Sequence, residues 1–174
     1  MSNSIGLARG TVKLVPHDPL WQSHFEAEAK LLQQKLGISA DRIQHVGSTA
    51  IPGILAKPII DIAISVDSLK VADEWVKLLA ELGYWNKGPQ PDMPERRFFA
   101  KGPEEKRIVY LHVVTHEEYK RLLAFRDALR ASPELANEYS DLKAKLAASL
   151  ADDRARYTNR KNDFIQRVLQ AKLA

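Results

Sequence analysis

The sequence predicts an α+β fold, in which helices flank a mixed β-sheet and a helical block follows it. Segments near residues 42–46 and 59–66 are short and rich in β-branched residues, as strands are. Longer segments repeat apolar residues at helical spacing. With 174 residues, 45% hydrophobic and 28% charged, the chain suits a single domain over residues 1–174. We place the sheet core at about 12–115 and the helical part at about 116–174.

The first element is a helix over residues 18–36. Asp18 is a typical N-cap residue, and Pro19 after it suits the first helical position. Gly37 then stands where helices commonly end. The apolar residues between these limits recur every three or four positions: Trp21, Phe25, Ala29, Leu32 and Leu36.

Four strands and one more helix follow. Residues 42–46 and 59–66 form the first two strands, and the second is apolar on both faces except at Asp61. A strand of this kind belongs in a sheet that has helices on both sides. Asp67 or Ser68 caps a helix that ends at Gly83. Residues 96–101 and 107–114 form two further strands.

The last third of the chain is predicted to be helical. Thr115 and Glu118 match a capping box, in which each side chain satisfies a backbone amide of the other's residue. Ser132 and Pro133 begin the next helix. An apolar stripe continues through Leu135, Tyr139, Leu142, Leu146 and Leu150, and residues 157–159 are expected to break the last helix.

Composition limits the classes of function. The absence of cysteine excludes disulfide scaffolds, thiolate metal sites and cysteine nucleophiles. No apolar run is long enough to cross a membrane, and the first residues do not resemble a signal peptide, so we expect a cytoplasmic protein. A net charge of +4 favours anionic partners. Nucleic acid is disfavoured, because the last helices alternate basic and acidic residues. The sequence does not predict an oligomeric state.

A turn of small residues is the first candidate site. Gly47, Ser48 and Thr49 follow a strand, and a short helical or turn segment is expected to start near residues 51–52. Such a turn exposes backbone amides and two hydroxyls, which suit phosphate oxygens. Alternatively, Ser48 or Thr49 serves only as an N-cap.

Asp61 is the second candidate, because it interrupts an apolar strand. A buried carboxylate needs a partner, which here is a metal ion, a cation such as Lys57, or a set of backbone donors. A structural role and a functional role are both open for Asp61 alone, but a glycine-serine turn on one strand and an acid on the next together form a candidate site.

The run HVGSTAIPGILAKPIIDIAISV resembles the signature of the GrpB family, also called UPF0157, of the nucleotidyltransferase superfamily. The later runs LHVV, FRDALRASPELANEY and RYTNRKNDFI resemble the same family in the same order. The resemblance covers residues from about 12 to 164. It implies a nucleotidyltransferase-type mixed sheet and a nucleotide or phosphorylated small molecule as ligand.

The resemblance also implies roles for individual residues. Transferases of the superfamily hold phosphates on the turn, here Gly47 and Ser48, and divalent ions on paired acids and a third acid on a later strand. Asp61 corresponds to the first metal ligand, for Mg²⁺ or Mn²⁺. The second position holds Ala63, and the resemblance implies a non-acidic residue there in related sequences. Two interpretations stay open: metal-dependent nucleotidyl transfer, and a non-catalytic binding or regulatory module.

His112 and several basic residues complete the predicted site. His112 lies on the strand where the resemblance places a third acid. Four roles are open for it: a metal ligand, a general base, a phosphate contact or a core residue. Alternation along a strand sends Arg96 and Arg97 to opposite faces, and we assign Arg97 to the site. The full set of predicted phosphate-binding residues is Gly47, Ser48, Thr49, Lys57, Arg97, Arg126, Lys143 and Lys161, with Asp61 and His112 as catalytic residues.

Overall fold

A five-stranded mixed sheet forms the centre of the protein. The computed structural model describes residues 5–88, 93–149 and 154–173. The strand order is β1-β2-β5-β4-β3. Only β2 and β5 pair in parallel, and every other neighbouring pair is antiparallel. The strands are β1 Ile43–Val46, β2 Ile60–Val66, β3 Tyr84–Asn86, β4 Arg96–Lys101 and β5 Val109–Thr115.

Helices cover both faces of this sheet, which confirms the predicted α+β fold. Three of them, α1 to α3, contribute to the core of the first face, and α4 lies on the second face. The last three helices also pack against one another. The helices are α1 Leu20–Leu36, α2 Lys70–Glu74, α3 Val76–Glu81, α4 His116–Ala131, α5 Pro133–Ser149 and α6 Arg154–Leu173.

The first face of the sheet carries the main hydrophobic core. Ile60, Ile62 and Ile64 alternate along β2 and are fully buried. They belong to one cluster with Trp21 and Leu32 of α1, which are also fully buried. The predicted apolar spacing of the first helix therefore describes its buried side.

The helical block has its own core. Tyr139 of α5 stacks on Phe164 of α6, with ring centroids 5.0 Å apart. Ile51 and Ile54, from the loop after β1, belong to the same cluster and are 1% exposed. The loop that follows the glycine-serine turn is thus held against the C-terminal helices.

Most of the predicted helix starts are confirmed. The Asp18 carboxylate accepts a hydrogen bond from the Leu20 amide at 3.0 Å, and Ser132 Oγ accepts one from the Leu135 amide at 3.2 Å. Gly37 ends α1 with φ of 65°. The predicted capping box is wrong in its contacts: α4 begins after Thr115, but Thr115 makes no side-chain cap. Its predicted partner, the buried Glu118, instead binds Arg96 and Arg121.

The sequence analysis misses one strand, and two of its predictions about helix bounds are wrong. The missed edge strand, β3, has three residues, which are too few to give an alternating pattern. The helix expected up to Gly83 consists of α2 and α3, which meet at Trp75. The expected break at residues 157–159 lies within α6, which begins at Arg154. Leu150, which was expected in the apolar stripe of α5, lies outside the described residues.

Within the described ranges, no helix combines the length and the apolar character that crossing a membrane requires.

Candidate functional site

The glycine-serine turn forms at the end of β1. Gly47 has φ of 70°, a left-handed value that favours glycine, and a short 3₁₀-helix covers Ser48–Ala50. The helical turn therefore starts three residues earlier than the sequence predicts. A Cβ atom at position 47 would lie 2.6 Å from Oδ2 of Asp61. Glycine is thus required both for the backbone angle and for the close approach of Asp61.

Thr49 fixes this turn to the sheet. Its buried hydroxyl donates to the carbonyl of Ile59 at 3.3 Å and lies 3.0 Å from Nε2 of His45. Burial lowers the pKa of His45 to about 4, which keeps the imidazole neutral near pH 7. The Thr49 hydroxyl therefore has protein partners, whereas the Ser48 hydroxyl faces α5.

A buried lysine from α5 reaches the turn. Lys143 is 2% exposed and donates from Nζ to Ser48 Oγ at 2.9 Å and to the carbonyl of Leu55. Its ammonium also lies 4.7 Å from the ring centroid of Tyr139. Burial, together with the nearby charges of Lys161 and Lys57, lowers the pKa of Lys143 to about 7. Three amino groups from distant parts of the chain thus lie close together.

These side chains surround a small opening that we call the lysine cleft. Its volume is about 90 Å³. Among the described residues that line it, Asp61 is the one acid, and it faces three lysines. Six of the ten residues that the sequence assigned to the site lie here. The lining consists of Leu14, Ser48, Thr49, Lys57, Asp61, Lys143 and Lys161.

A chain of polar contacts extends from Asp61 across the second face of the sheet. His112 on β5 places Nε2 at 3.2 Å from Asp61 Oδ1. Its other nitrogen, Nδ1, lies 3.4 Å from Nη1 of Arg96. A guanidinium can only donate, so Nδ1 accepts and Nε2–H donates to the carboxylate. The ring also stacks on Phe98 at a centroid distance of 4.7 Å.

His112 and Arg96 orient Asp61 from outside the lysine cleft. Arg96 is itself held by the buried carboxylate of Glu118. Both ring nitrogens of His112 therefore have protein partners, and His112 does not line the lysine cleft. The geometry places His112 as a positioning residue for Asp61, whereas the sequence left a metal ligand or a general base open.

The residues present do not fit a two-metal centre. Ala63, at the position of the second acid, is fully buried in a cluster with Val46, Val114 and Tyr119. Within the described parts of the chain, no group of three or more histidine, aspartate or glutamate side chains is placed to hold a metal ion. Asp61 supplies one carboxylate, and a lysine-rich lining repels a divalent cation. Binding of Mg²⁺ or Mn²⁺ stays a prediction.

Two predicted phosphate contacts lie away from the lysine cleft. Arg97 points to the first face of the sheet and pairs with the exposed Asp73 at 3.0 Å. Its neighbour Arg96 is the arginine on the Asp61 face. Arg126 is buried and donates to the Gln44 side chain and to the carbonyl of His45, at 2.9 Å each. It therefore supports β1.

Sequence reasoning missed two arginines near the site. Arg130 of α4 donates from Nε to the carbonyl of Ala50 at 2.8 Å and so fixes the end of the turn. Arg96 was assigned to the wrong face. Strand alternation was the available signal for Arg96, but it does not tell which of two adjacent residues faces the site.

The comparisons with known proteins place the chain in a family. The family described as GrpB protein matches residues 11–171. The chain belongs to the GrpB family. It is 36% identical over 171 residues to the glutamate-rich protein GrpB of Alkalihalophilus pseudofirmus, across 95% of this chain and 98% of that protein. The crystal structure of the conserved protein GrpB from Enterococcus faecalis superposes with a TM-score of 0.81 at 30% identity, over 93% of this chain and all of that one.

A more distant structure shares the fold of this chain. The Cid1 poly(U) polymerase bound to MgGTP matches with a TM-score of 0.51 at 14% identity, over 73% of this chain and 41% of that one. Similarity at this level shows the fold alone. The predicted nucleotidyltransferase-type fold and the family resemblance are thus confirmed.

Proposed function

We propose that this protein binds the phosphate groups of a nucleotide or of another phosphorylated small molecule in the lysine cleft. The observation that carries the proposal is the position of Lys143. This buried lysine contacts Ser48 on the glycine-serine turn, and the charges of Lys57 and Lys161 lie near enough to lower its pKa.

Burial and the two neighbouring lysines disfavour the charged form of Lys143. Removing an ammonium from water disfavours its charged form, and two like charges nearby increase that cost. A phosphate group would offset both costs, because its oxygens accept charge-assisted hydrogen bonds from lysine and further bonds from Ser48. The turn amides add donors of the kind that hold phosphates in other proteins. Strongly shifted pKa values in a cleft are typical of functional sites.

Only the phosphate end of the ligand is expected to enter the lysine cleft. A cleft of about 90 Å³ takes phosphate groups and leaves the remainder of a nucleotide outside. The phosphate is therefore the part of the ligand that the described residues recognise. Neither the base nor an acceptor is specified by these contacts.

The proposal is tested by titrating the protein with ATP and with simple phosphate esters, with thermal unfolding as the readout. A ligand at 100 times its Kd should stabilise the wild type by about 2.7 kcal/mol. Ser48→Ala should weaken binding about fivefold, and Lys57→Gln about tenfold or more, because charge-assisted bonds are stronger.

Lys77→Gln is the matched control, since it removes the same charge from an exposed position on α3, on the other face of the sheet. Its affinity should equal that of the wild type. The proposal fails if no phosphate compound stabilises the protein, or if Lys57→Gln and Lys77→Gln behave alike.

Metal-dependent nucleotidyl transfer is the second candidate. Two observations support this candidate: Asp61 lies close to Gly47 of the glycine-serine turn, and the fold is similar to part of the Cid1 polymerase. Its test is pyrophosphate release from nucleoside triphosphates with Mg²⁺ or Mn²⁺. Release that requires the metal and is lost in Asp61→Asn would favour transfer, and no release would favour a binding module. The expected setting for either function is the cytoplasm.

A further inference from the structure

We infer that the lysine cleft binds metal-free polyphosphate, two or more linked phosphate groups whose charge is neutralised by Lys57, Lys143 and Lys161 in place of divalent ions. This inference rests on the proposed function and adds the charge state of its ligand. The ligand is a diphosphate or triphosphate group without bound metal, either as an inorganic ion or as part of a nucleotide.

The lining of the lysine cleft is positively charged. With every group ionised, the three lysines and one aspartate among its described residues carry a net charge of +2. A bound Mg²⁺ cancels two of the negative charges of a polyphosphate and so weakens its attraction to such a lining. A metal-free polyphosphate keeps that charge. Linked phosphate groups carry more negative charge than a single phosphate and are therefore attracted more strongly to this lining.

Asp61 by itself is a weak site for a metal ion. Its Oδ1 accepts a hydrogen bond from His112, and Ala63 fills the position of a partner acid with apolar contacts. Mg²⁺ prefers several oxygen ligands in octahedral geometry, and a single carboxylate with one oxygen already hydrogen-bonded supplies few of them.

Ligand binding should also change the protonation of Lys143. Among the described residues, the charges of Lys161 of α6 and Lys57 of the loop before β2 act on Lys143, and Asp61 of β2 lines the same cleft. Burial and the two lysines hold the pKa of Lys143 at about 7 in the free protein. An anion beside this amine favours its charged form and raises the pKa. Polyphosphate binding near pH 8 should therefore take up a proton.

The test is calorimetric titration of the full chain with sodium pyrophosphate, once with EDTA and once with excess Mg²⁺ at matched ionic strength. We expect binding about tenfold tighter in EDTA. Titrations at pH 8 in two buffers with different heats of ionisation should show proton uptake. Lys57→Gln should weaken the binding seen in EDTA about tenfold, and Lys77→Gln should not.

The outcomes separate this inference from the proposed function. Pyrophosphate binding that is tighter with Mg²⁺ and is weakened by Asp61→Asn would overturn the inference and leave phosphate binding intact. The same holds if orthophosphate binds as tightly as pyrophosphate. If neither pyrophosphate nor ATP binds, with EDTA or with Mg²⁺, the inference and the proposed function are both overturned. Binding that Lys57→Gln leaves unchanged would also overturn both.

Discussion

The two faces of the central sheet differ in what their side chains do. On β2, Ile60, Ile62 and Ile64 point to the first face and are fully buried in the main core. The residues between them point to the second face, where Asp61 contacts His112 and lines the lysine cleft. One strand therefore supplies both the core and the candidate site.

Adjacent residues of β2 therefore affect different properties, either the free energy of unfolding or the ligand affinity. Substitutions on the first face should change the free energy of unfolding and leave ligand affinity nearly unchanged. Substitutions on the second face should do the reverse wherever the side chain reaches the lysine cleft. Ala63 is the exception on the second face, because it is packed in an apolar cluster.

The largest effect is expected from Ala63→Asp, which places a carboxylate at the position of the second acid. This site is fully buried among apolar side chains, so an unpaired charge there should lower the free energy of unfolding by about 4 kcal/mol. Chemical denaturation measures this value.

The control is Ala80→Asp at an exposed position of α3, which should cost less than about 1 kcal/mol from helix propensity. If Ala63→Asp keeps wild-type stability and gains Mg²⁺ affinity, position 63 is a metal position after all.

Ile62→Ala tests the first face. The substitution removes three buried carbon atoms from the main core and should lower the free energy of unfolding by about 3 kcal/mol. The fraction that stays folded should bind ATP and pyrophosphate with wild-type affinity, because Ile62 does not line the lysine cleft. A tenfold loss of affinity in the folded protein would contradict the separation of the two faces.

His45 gives the first face a pH dependence. Burial lowers its pKa from 6.5 to about 4, so between these values the unfolded chain binds a proton that the folded chain does not. Stability should therefore fall by on the order of 2 kcal/mol as the pH drops from 6.5 towards 4.

Urea unfolding at several pH values measures this loss. His45→Gln should reduce it, whereas His24→Gln, at an exposed position of α1, should leave it as in the wild type. Equal slopes in both variants would show that other groups cause the loss.

The smallest effect concerns the proton of His112. Because Arg96 donates towards Nδ1, the neutral ring should carry its proton on Nε2. Long-range ¹H–¹⁵N NMR spectra distinguish the two tautomers directly. A proton on Nδ1 would mean that His112 does not orient Asp61 as the structure indicates.

Local patterns made much of the fold predictable. Apolar spacing located α1, and Asp18, Gly37 and Ser132 marked helix ends where the structure has them. The three-residue strand β3 is held by pairing with β4, and its own residues give no pattern. Glu118 matched a capping box in sequence but binds Arg96, because a nearby guanidinium is a stronger partner than a backbone amide.

The candidate site was predictable only in part. Ser48 and Asp61 stand in a recognisable run, but Lys143 reaches Ser48 from 95 residues away, and only the family resemblance drew attention to it. Side-chain direction was the missing information for Arg97 and Arg126, which lie elsewhere. That direction depends on how strands and helices pack, which residue types alone do not determine.

Phosphate binding in the lysine cleft can be located by a titration of ¹⁵N-labelled protein with pyrophosphate, followed by amide NMR. We expect the largest shift changes at Gly47, Ser48 and Thr49, with smaller ones near Lys57 and Lys143. Changes confined to other regions, such as the groove between α5 and α6 lined by Leu142, Leu146 and Phe164, would contradict it. So would a spectrum that does not change.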